Sequence, residues 1–183
     1  MAKASYEGNV LSPLPVILVG ALVDERPNYL VIGYAAPFDF GKQIFFSIYK
    51  ERYTARGILA HRTFSVNVPS VALLEQVRIC GSTSGNDLDK STLFENFFGQ
   101  LKTAPMIREC PLNMECEITE IVDTELNHGV IGRVVGSYVD DHLLKDEKTI
   151  DMAGADLFAW TLGGDFSYYR LGHRIVEDDS NTG

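Results

Sequence analysis

The order of apolar and polar residues along the chain predicts many short β-strands. Residues 15–23 form an apolar run that ends at the polar segment 24–28, and a second apolar run covers residues 29–34. Two apolar runs around a polar, proline-containing segment indicate a β-hairpin. The strict alternation from Leu112 to Thr119 is typical of a strand with one face in water. Further strands are predicted at 44–49, 64–68 and 130–139, the last loosened by Gly132 and Gly136.

Connections and helices complete the predicted order of elements. Residues 127–129 are expected to be the loop of a second hairpin. Short helices are predicted at 54–61, at 71–79 with Ser70 as the N-cap, and at 91–98. Many strands and few helices, without a βαβ alternation, predict a mainly β fold, a β-barrel with a few short helices.

Length and charge restrict the class of protein. A chain of 183 residues is expected to form a single domain, 1–183, with a polar and frayed tail at about 177–183. Sixteen basic and 25 acidic residues give a net charge of −9, a poor match for nucleic acid or an anionic membrane. The apolar run near the N-terminus is about half the length that a spanning helix needs. Residues 1–7 and the apolar run after them make a weak secretory signal, so we expect a cytoplasmic protein.

The usual signatures of catalytic and metal sites are missing. The sequence contains neither a P-loop, nor a strand followed by G-x-G-x-x-G, nor a G-x-S-x-G elbow. Four well-separated histidines predict no metal site, and no catalytic side chain is predicted. Three cysteines, Cys80, Cys110 and Cys116, favour reduced structural thiols, with a redox role for Cys80 or a Cys110–Cys116 bond as alternatives.

Two polar clusters are candidates for binding an anion. In the first, Ser47, Arg52 and Thr54 lie around the start of a predicted helix, where free amide groups and a guanidinium suit a phosphate. An N-cap with a surface arginine would explain the same residues. The second, residues 81–90, is rich in glycine and small polar residues and ends at Lys90. It predicts either an amide nest for an anion or an ordinary turn.

The same segments carry a resemblance to a known family. Residues 15–24, Pro27 with Asn28, residues 52–54, residues 64–70 and the block from Cys80 to Lys90 are similar to the flavoredoxin branch of the flavin reductase-like proteins. Further matches lie at 104–105, 109–116 and 168–172. The resemblance covers about residues 13–173. The chain departs from it at Tyr34-Ala35, where tryptophan is frequent, and at 37–42, where a Pro-Pro pair is frequent.

This resemblance implies a fold, a cofactor and a site. The fold is an FMN-binding split β-barrel of Greek-key type, usually a homodimer with non-covalent FMN near the subunit interface. The phosphate side would be formed by Arg52, Tyr53, Thr54, Ser84 and Lys90. The ring would be lined by Tyr34, Ala35, Ala36, Ser47, Ile48 and Tyr49.

The function implied is redox chemistry through bound FMN, as in a flavoredoxin or an NAD(P)H:flavin oxidoreductase. The flavin would supply the chemistry, which agrees with the absence of a catalytic motif. The electron donor would be NAD(P)H or a redox partner protein. The alternative is a flavin-binding module without turnover, such as a sensor or a flavin carrier.

Overall fold

The computed structural model describes residues 1–162 and 167–172, so the predicted frayed tail lies outside the described residues. Within these ranges the chain is mainly β, as the sequence predicts, and it has two α-helices where the sequence predicts three helices. The helices are α1 (Tyr53–His61) and α2 (Leu74–Ser82). The strands are β1 (Leu14–Pro15), β2 (Ile17–Val23), β3 (Arg26–Ile32), β4 (Ala35–Phe38), β5 (Gln43–Tyr49), β6 (Thr63–Val68), β7 (Asn96–Phe97), β8 (Met106–Ile107), β9 (Leu112–Asp123), β10 (Asn127–Val139), β11 (Phe158–Trp160) and β12 (Tyr168–Arg170).

Seven of the strands form one antiparallel sheet in the order β3-β2-β6-β9-β10-β5-β4. The hairpin of β2 and β3 and the strands at 44–49, 64–68, 112–119 and 130–139 are therefore confirmed. The water-exposed face predicted for residues 112–119 was wrong, because Asn113 and Glu115 are buried and their side chains are hydrogen-bonded. A smaller sheet, β1-β11-β12, brings residues near the C-terminus beside the start of the chain. Register shifts next to Gly132 and Gly136 mark irregularities in β10, where the sequence predicts a loosened strand.

Both faces of β2 are buried, which explains its unbroken apolar run. Ile17, Val19 and Ala21 belong to one core cluster, while Leu18 belongs to a second cluster on the opposite face. A strand that is covered on both sides needs apolar residues at every position, not at alternate ones. The first cluster contains residues of α1, and the second contains Val77 of α2.

Helix α1 lies very close to β2. A Cβ atom placed on Gly57 would come within 2.0 Å of the carbonyl oxygen of Leu22, so only glycine fits at this contact. The helix ends at Arg62, which has a left-handed backbone with φ of 54°. The contact fixes the position of the residues at the start of α1, which are those of the first polar cluster.

Three predictions of loops and helices were also wrong. Residues 127–129 belong to β10, and the turn lies earlier, where the amide of Asn127 donates to the Thr124 hydroxyl. Ser70 makes no side-chain cap, because the chain enters α2 through a 3₁₀ turn at Val71–Leu73. The segment 91–98 is a 3₁₀ turn followed by β7, because the side-chain amide of Asn96 binds the carbonyls of Ser91 and Phe94.

In the described part of the chain, no helix combines the length and the apolar character that crossing a membrane would require.

Candidate functional site

Two adjoining chambers lie between β3, β5, α2 and the start of α1. The large chamber has a volume of about 640 Å³ and the small chamber about 330 Å³. Leu30, Tyr49 and Arg52 line both of them, so they form one elongated cavity with a common wall. Ligand sites of small molecules commonly have volumes of about 300–1,000 Å³. The cavity therefore has the size of a cofactor site.

Aromatic side chains dominate one end of the large chamber. Trp160 of β11 and Tyr34 make an edge-to-face contact with ring centroids 6.0 Å apart, and Tyr168 of β12 lines the same chamber. A Cβ atom on Gly33 would lie 2.6 Å from the Trp160 ring, so the glycine makes room for the tryptophan. Ser47 and Asn127 add polar groups to the wall. A planar, largely apolar ring system fits this surface.

The small chamber is lined by cationic and hydroxyl groups. Arg52 precedes α1 with an extended backbone, and no side chain caps the first turn of this helix. Thr54 is buried, and its hydroxyl accepts a hydrogen bond from the side-chain amide of Asn28 at 2.7 Å. The hydroxyl proton of Thr54 is therefore left to donate to an acceptor in the chamber, such as a phosphate oxygen.

Lys90 is the second cation of the small chamber, and it is 2 % exposed. Its Nζ donates to the carbonyl oxygens of Tyr29 and Cys80, both at 3.0 Å. Burial lowers the pKa of Lys90, and the positive charge of Arg52 adds to this effect. Among the described residues no carboxylate forms an ion pair with Lys90 or Arg52. Two neighbouring cations without a counter-ion are suited to an anionic ligand.

The loop from Thr83 to Lys90 uses most of its amides internally. The amides of Asp87 and Leu88 donate to the carbonyl of Ser84, and that of Asn86 donates to the Ser84 hydroxyl. Among the described residues the amides of Ser84 and Gly85 donate to no acceptor, and both residues line the small chamber. The amide nest suggested by the sequence is thus reduced to these two groups and the Ser84 hydroxyl.

The structure brings eight of the eleven predicted site residues to the cavity. These are Tyr34, Ser47, Tyr49, Arg52, Tyr53, Thr54, Ser84 and Lys90.

The other three, Ala35, Ala36 and Ile48, do not line either chamber. Ile48 lies between Ser47 and Tyr49 in a strand, so its side chain points to the opposite face and is buried in the core. Ala35 packs against the same core, and Ala36 is exposed on the edge strand β4.

Sequence reasoning missed several residues of the cavity wall. Trp160 and Tyr168 lie in the C-terminal part of the chain, and the pairing of β1, β11 and β12 places them at the large chamber. The sequence offered one signal for Trp160, namely that it is the single tryptophan of the chain. Arg78 of α2 also lines the large chamber, and it had no distinguishing sequence context.

The cysteines are free, buried and outside the chamber walls. Burial raises the pKa of Cys80 to about 11 and that of Cys116 to about 12. Thiols of this kind are almost entirely protonated at neutral pH and react poorly, which favours a structural role. In the described part of the chain, no three His, Cys, Asp or Glu residues are placed to hold a metal ion.

Comparisons with known sequences match most of this chain. A model described as the flavin reductase like domain matches residues 11–155. An uncharacterised protein from Archaeoglobus fulgidus is 31 % identical over 129 residues, which cover 68 % of this chain and 72 % of that protein.

Solved structures show the same relationship. A flavoredoxin from Methanosarcina acetivorans is 32 % identical with a TM-score of 0.91, over 99 % of this chain and 97 % of that one. A flavoredoxin from Desulfovibrio vulgaris is 25 % identical with a TM-score of 0.88, over 99 % of both chains. An FMN-binding protein from Thermus thermophilus, 22 % identical with a TM-score of 0.79 over 97 % of this chain and 98 % of that one, shares the fold. The split-barrel fold expected from the sequence is thereby confirmed.

Proposed function

We propose that this chain, which belongs to the flavin reductase-like family, binds FMN non-covalently in the two chambers and works as a redox flavoprotein. One observation carries the proposal: two cations without a carboxylate partner among the described residues lie in a chamber that adjoins an aromatic one. FMN has one phosphate and one planar ring, joined by a flexible ribityl chain, and these parts match the two chambers in character.

In this proposal the small chamber holds the phosphate. Arg52 supplies a planar guanidinium and Lys90 a fixed ammonium, because two backbone carbonyls hold its Nζ in place. Thr54 and Ser84 donate hydroxyl protons, and Tyr53 closes the wall. Glu51 also lines this chamber and is the one carboxylate among the described lining residues, so the local charge stays positive.

The large chamber holds the ring. Tyr34, Tyr49, Trp160 and Tyr168 provide its aromatic walls, while Ser47 supplies a hydroxyl for the polar ring atoms. Bound FMN would accept and release electrons or a hydride, so the protein need only position the ring, hydrogen-bond to it and limit access of water. We assign no side chain of the chain as an acid or base.

The visible spectrum of the purified protein tests the proposal. We expect a yellow protein that releases FMN on denaturation, since the cavity has donors for one phosphate. Chromatography of the released chromophore identifies it. Predominant FAD, or no bound flavin after the protein is supplemented with FMN, would contradict the proposal.

The electron donor would be NAD(P)H or a partner redox protein. Anaerobic mixing of the FMN-loaded protein with NADH or NADPH separates these possibilities, because bleaching of the flavin absorbance reports reduction directly. Bleaching within seconds supports a flavin reductase-type enzyme. Absence of bleaching with either dinucleotide supports an electron carrier that takes electrons from another protein, or the binding module without turnover.

The proposal includes a homodimer. The edge strand β4 carries an exposed Phe38, and Phe40 beyond it is fully exposed on a turn with left-handed backbone. An open edge with exposed aromatic residues is a surface that a second copy can cover. Light scattering of the FMN-loaded protein should give twice the mass of one chain. The mass of a single chain, with flavin bound, would disprove this part of the proposal.

A further inference from the structure

A further pocket of about 220 Å³, here called the side pocket, adjoins the small chamber. Its lining includes Arg26 and Asn28. Three residues, Tyr53, Gly85 and Lys90, line both the side pocket and the small chamber. These three residues therefore form a partition between the proposed phosphate position and the space beside it.

Two members of the partition are fixed. Lys90 is buried, and its Nζ is bound to two backbone carbonyls. Gly85 brings its backbone directly against its neighbours, because a Cβ atom placed on it would overlap both the Tyr53 ring and the Asn28 side chain. The remaining gap in the partition is closed by the ring of Tyr53.

Tyr53 is held across the partition by contacts at several points. Its hydroxyl donates to the carboxylate of Asp24 at 3.2 Å. The guanidinium of Arg56 lies over its ring, 5.1 Å from the centroid, in a cation–π contact. Gly85 packs against the ring, and Tyr53 is itself the first residue of α1, which the Gly57 contact fixes to β2. The ring is thus a built wall of the chamber.

The side pocket is polar and contains charges of both signs. Asp87 and Asp89 line it together with Arg26 and Lys90. Arg26 and Asp89 form an ion pair at 3.3 Å, and both side chains are largely exposed. Exposed ion pairs of this kind contribute little to stability, so a phosphate that entered the pocket can replace Asp89 as the partner of Arg26. Access past Tyr53, and not the chemistry of the pocket, then decides whether a phosphate enters.

We propose that Tyr53 is a specificity-determining residue that selects FMN over FAD. This proposal rests on the proposed function, since it concerns the phosphate end of the same site. The two flavins share the ring, the ribityl chain and the first phosphate, but FAD continues into a second phosphate and an adenosine. With the first phosphate in the small chamber, the ring of Tyr53 obstructs the continuation into the side pocket. Specificity of this kind arises from a clash with the wrong ligand as much as from contacts with the right one.

The test compares wild type with Tyr53→Ala, Tyr53→Leu and Tyr53→Phe, and uses Tyr169→Ala as the matched control. Tyr169 is an exposed tyrosine on β12 that lines neither chamber nor the side pocket. Circular dichroism first establishes that each variant is folded. Each flavin-free protein is then titrated with FMN, FAD and riboflavin, and the quenching of Trp160 fluorescence gives the three dissociation constants.

For wild type we expect FAD to bind at least about 10-fold more weakly than FMN. In Tyr53→Ala the dissociation constant of FAD should fall by about 5- to 30-fold in absolute terms, because the obstruction is removed, whereas that of FMN should not fall. Tyr53→Leu should change in the same direction by less. Tyr53→Phe keeps the ring and its contact with Arg56, so its discrimination should resemble that of wild type, as should that of Tyr169→Ala.

Three results would overturn the assignment of Tyr53. Equal affinities of wild type for FMN and FAD would show that the partition selects neither. Unchanged FAD affinity in Tyr53→Ala and Tyr53→Leu, or equal losses for all three flavins, would show that the ring does not obstruct the second phosphate. An equal gain of FAD affinity in Tyr53→Phe would show that the ring is not the barrier. Failure of wild type to bind FMN at all would count against the proposed function, and the first titration separates this result from the others.

Discussion

Replacing Arg52 by alanine should weaken FMN binding by about 30- to 150-fold. The substitution removes a charged donor from the phosphate and leaves Lys90 as the remaining cation of the small chamber. A hydrogen bond to a charged group contributes about 1.5–3 kcal/mol, and the loss of about 2–3 kcal/mol corresponds to this change in the dissociation constant. The dissociation constant is measured by titrating the flavin-free protein with FMN and monitoring the quenching of Trp160 fluorescence.

Riboflavin provides the decisive control because it has the ring of FMN but no phosphate. Its affinity should hardly change in Arg52→Ala, and Arg52→Lys should regain part of the FMN affinity. Arg133→Ala removes an exposed arginine outside the chambers and should leave both affinities as they are. Equal losses for FMN and riboflavin would show that Arg52 supports the ring or the fold, and the assignment of the phosphate to the small chamber would then be wrong.

The strands could be predicted from their patterns, although the reason for the pattern differs between them. The unbroken run of β2 follows from two buried faces. The alternation at Leu112–Thr119 does mark a strand, but its polar residues Asn113 and Glu115 are buried and hydrogen-bonded, not exposed to water. The segment 91–98 could not be predicted in this way. Its residues fit a helix locally, but the side chain of Asn96 binds two carbonyls and the hydroxyl of Tyr29 donates to it, which favours a turn and a short strand.

The candidate site was predictable where its residues are close in sequence. Arg52 and Thr54 stand at the start of α1, and the local pattern of a strand followed by a helix already indicates an anion site. The aromatic wall was not predictable, since Trp160 reaches Tyr34 across more than a hundred residues. Side chains alternate between the two faces of β5, so the Ile48 side chain points into the core and not into the cavity. The resemblance to the family matched residues 47–49 as a block and did not separate the two faces.

The environment of Lys90 was likewise beyond the sequence. A lysine at the end of a polar loop is usually a solvated residue, yet this one is buried and bound to the carbonyls of Tyr29 and Cys80. These acceptors come from β3 and α2, two elements that are distant in sequence. Lys90, the last residue of the loop, therefore connects a strand and a helix to the proposed phosphate position.

Substituting Gly57 by alanine should destabilise the protein by at least about 3 kcal/mol. A Cβ atom at this position would lie 2.0 Å from the Leu22 carbonyl oxygen and 2.9 Å from a Val23 methyl group. The closest atom belongs to the backbone, so no side-chain rotation relieves the overlap and α1 must move away from β2. Overpacking of a core commonly costs about 1–3 kcal/mol, and a rigid backbone contact lies at the upper end or beyond.

Gly81→Ala is the matched control, because Gly81 is also a helical glycine. Its Cβ atom would meet only Val31, at an ordinary distance of 3.6 Å. Alanine is favoured over glycine in a helix by up to about 1 kcal/mol, so this variant should be as stable as wild type or more stable. Urea unfolding of the flavin-free proteins measures both changes. Because Arg52 and Thr54 stand at the start of α1, the folded fraction of Gly57→Ala should also bind FMN more weakly. Equal stabilities of the two variants would show that the contact between α1 and β2 is not the rigid support of the phosphate site described above.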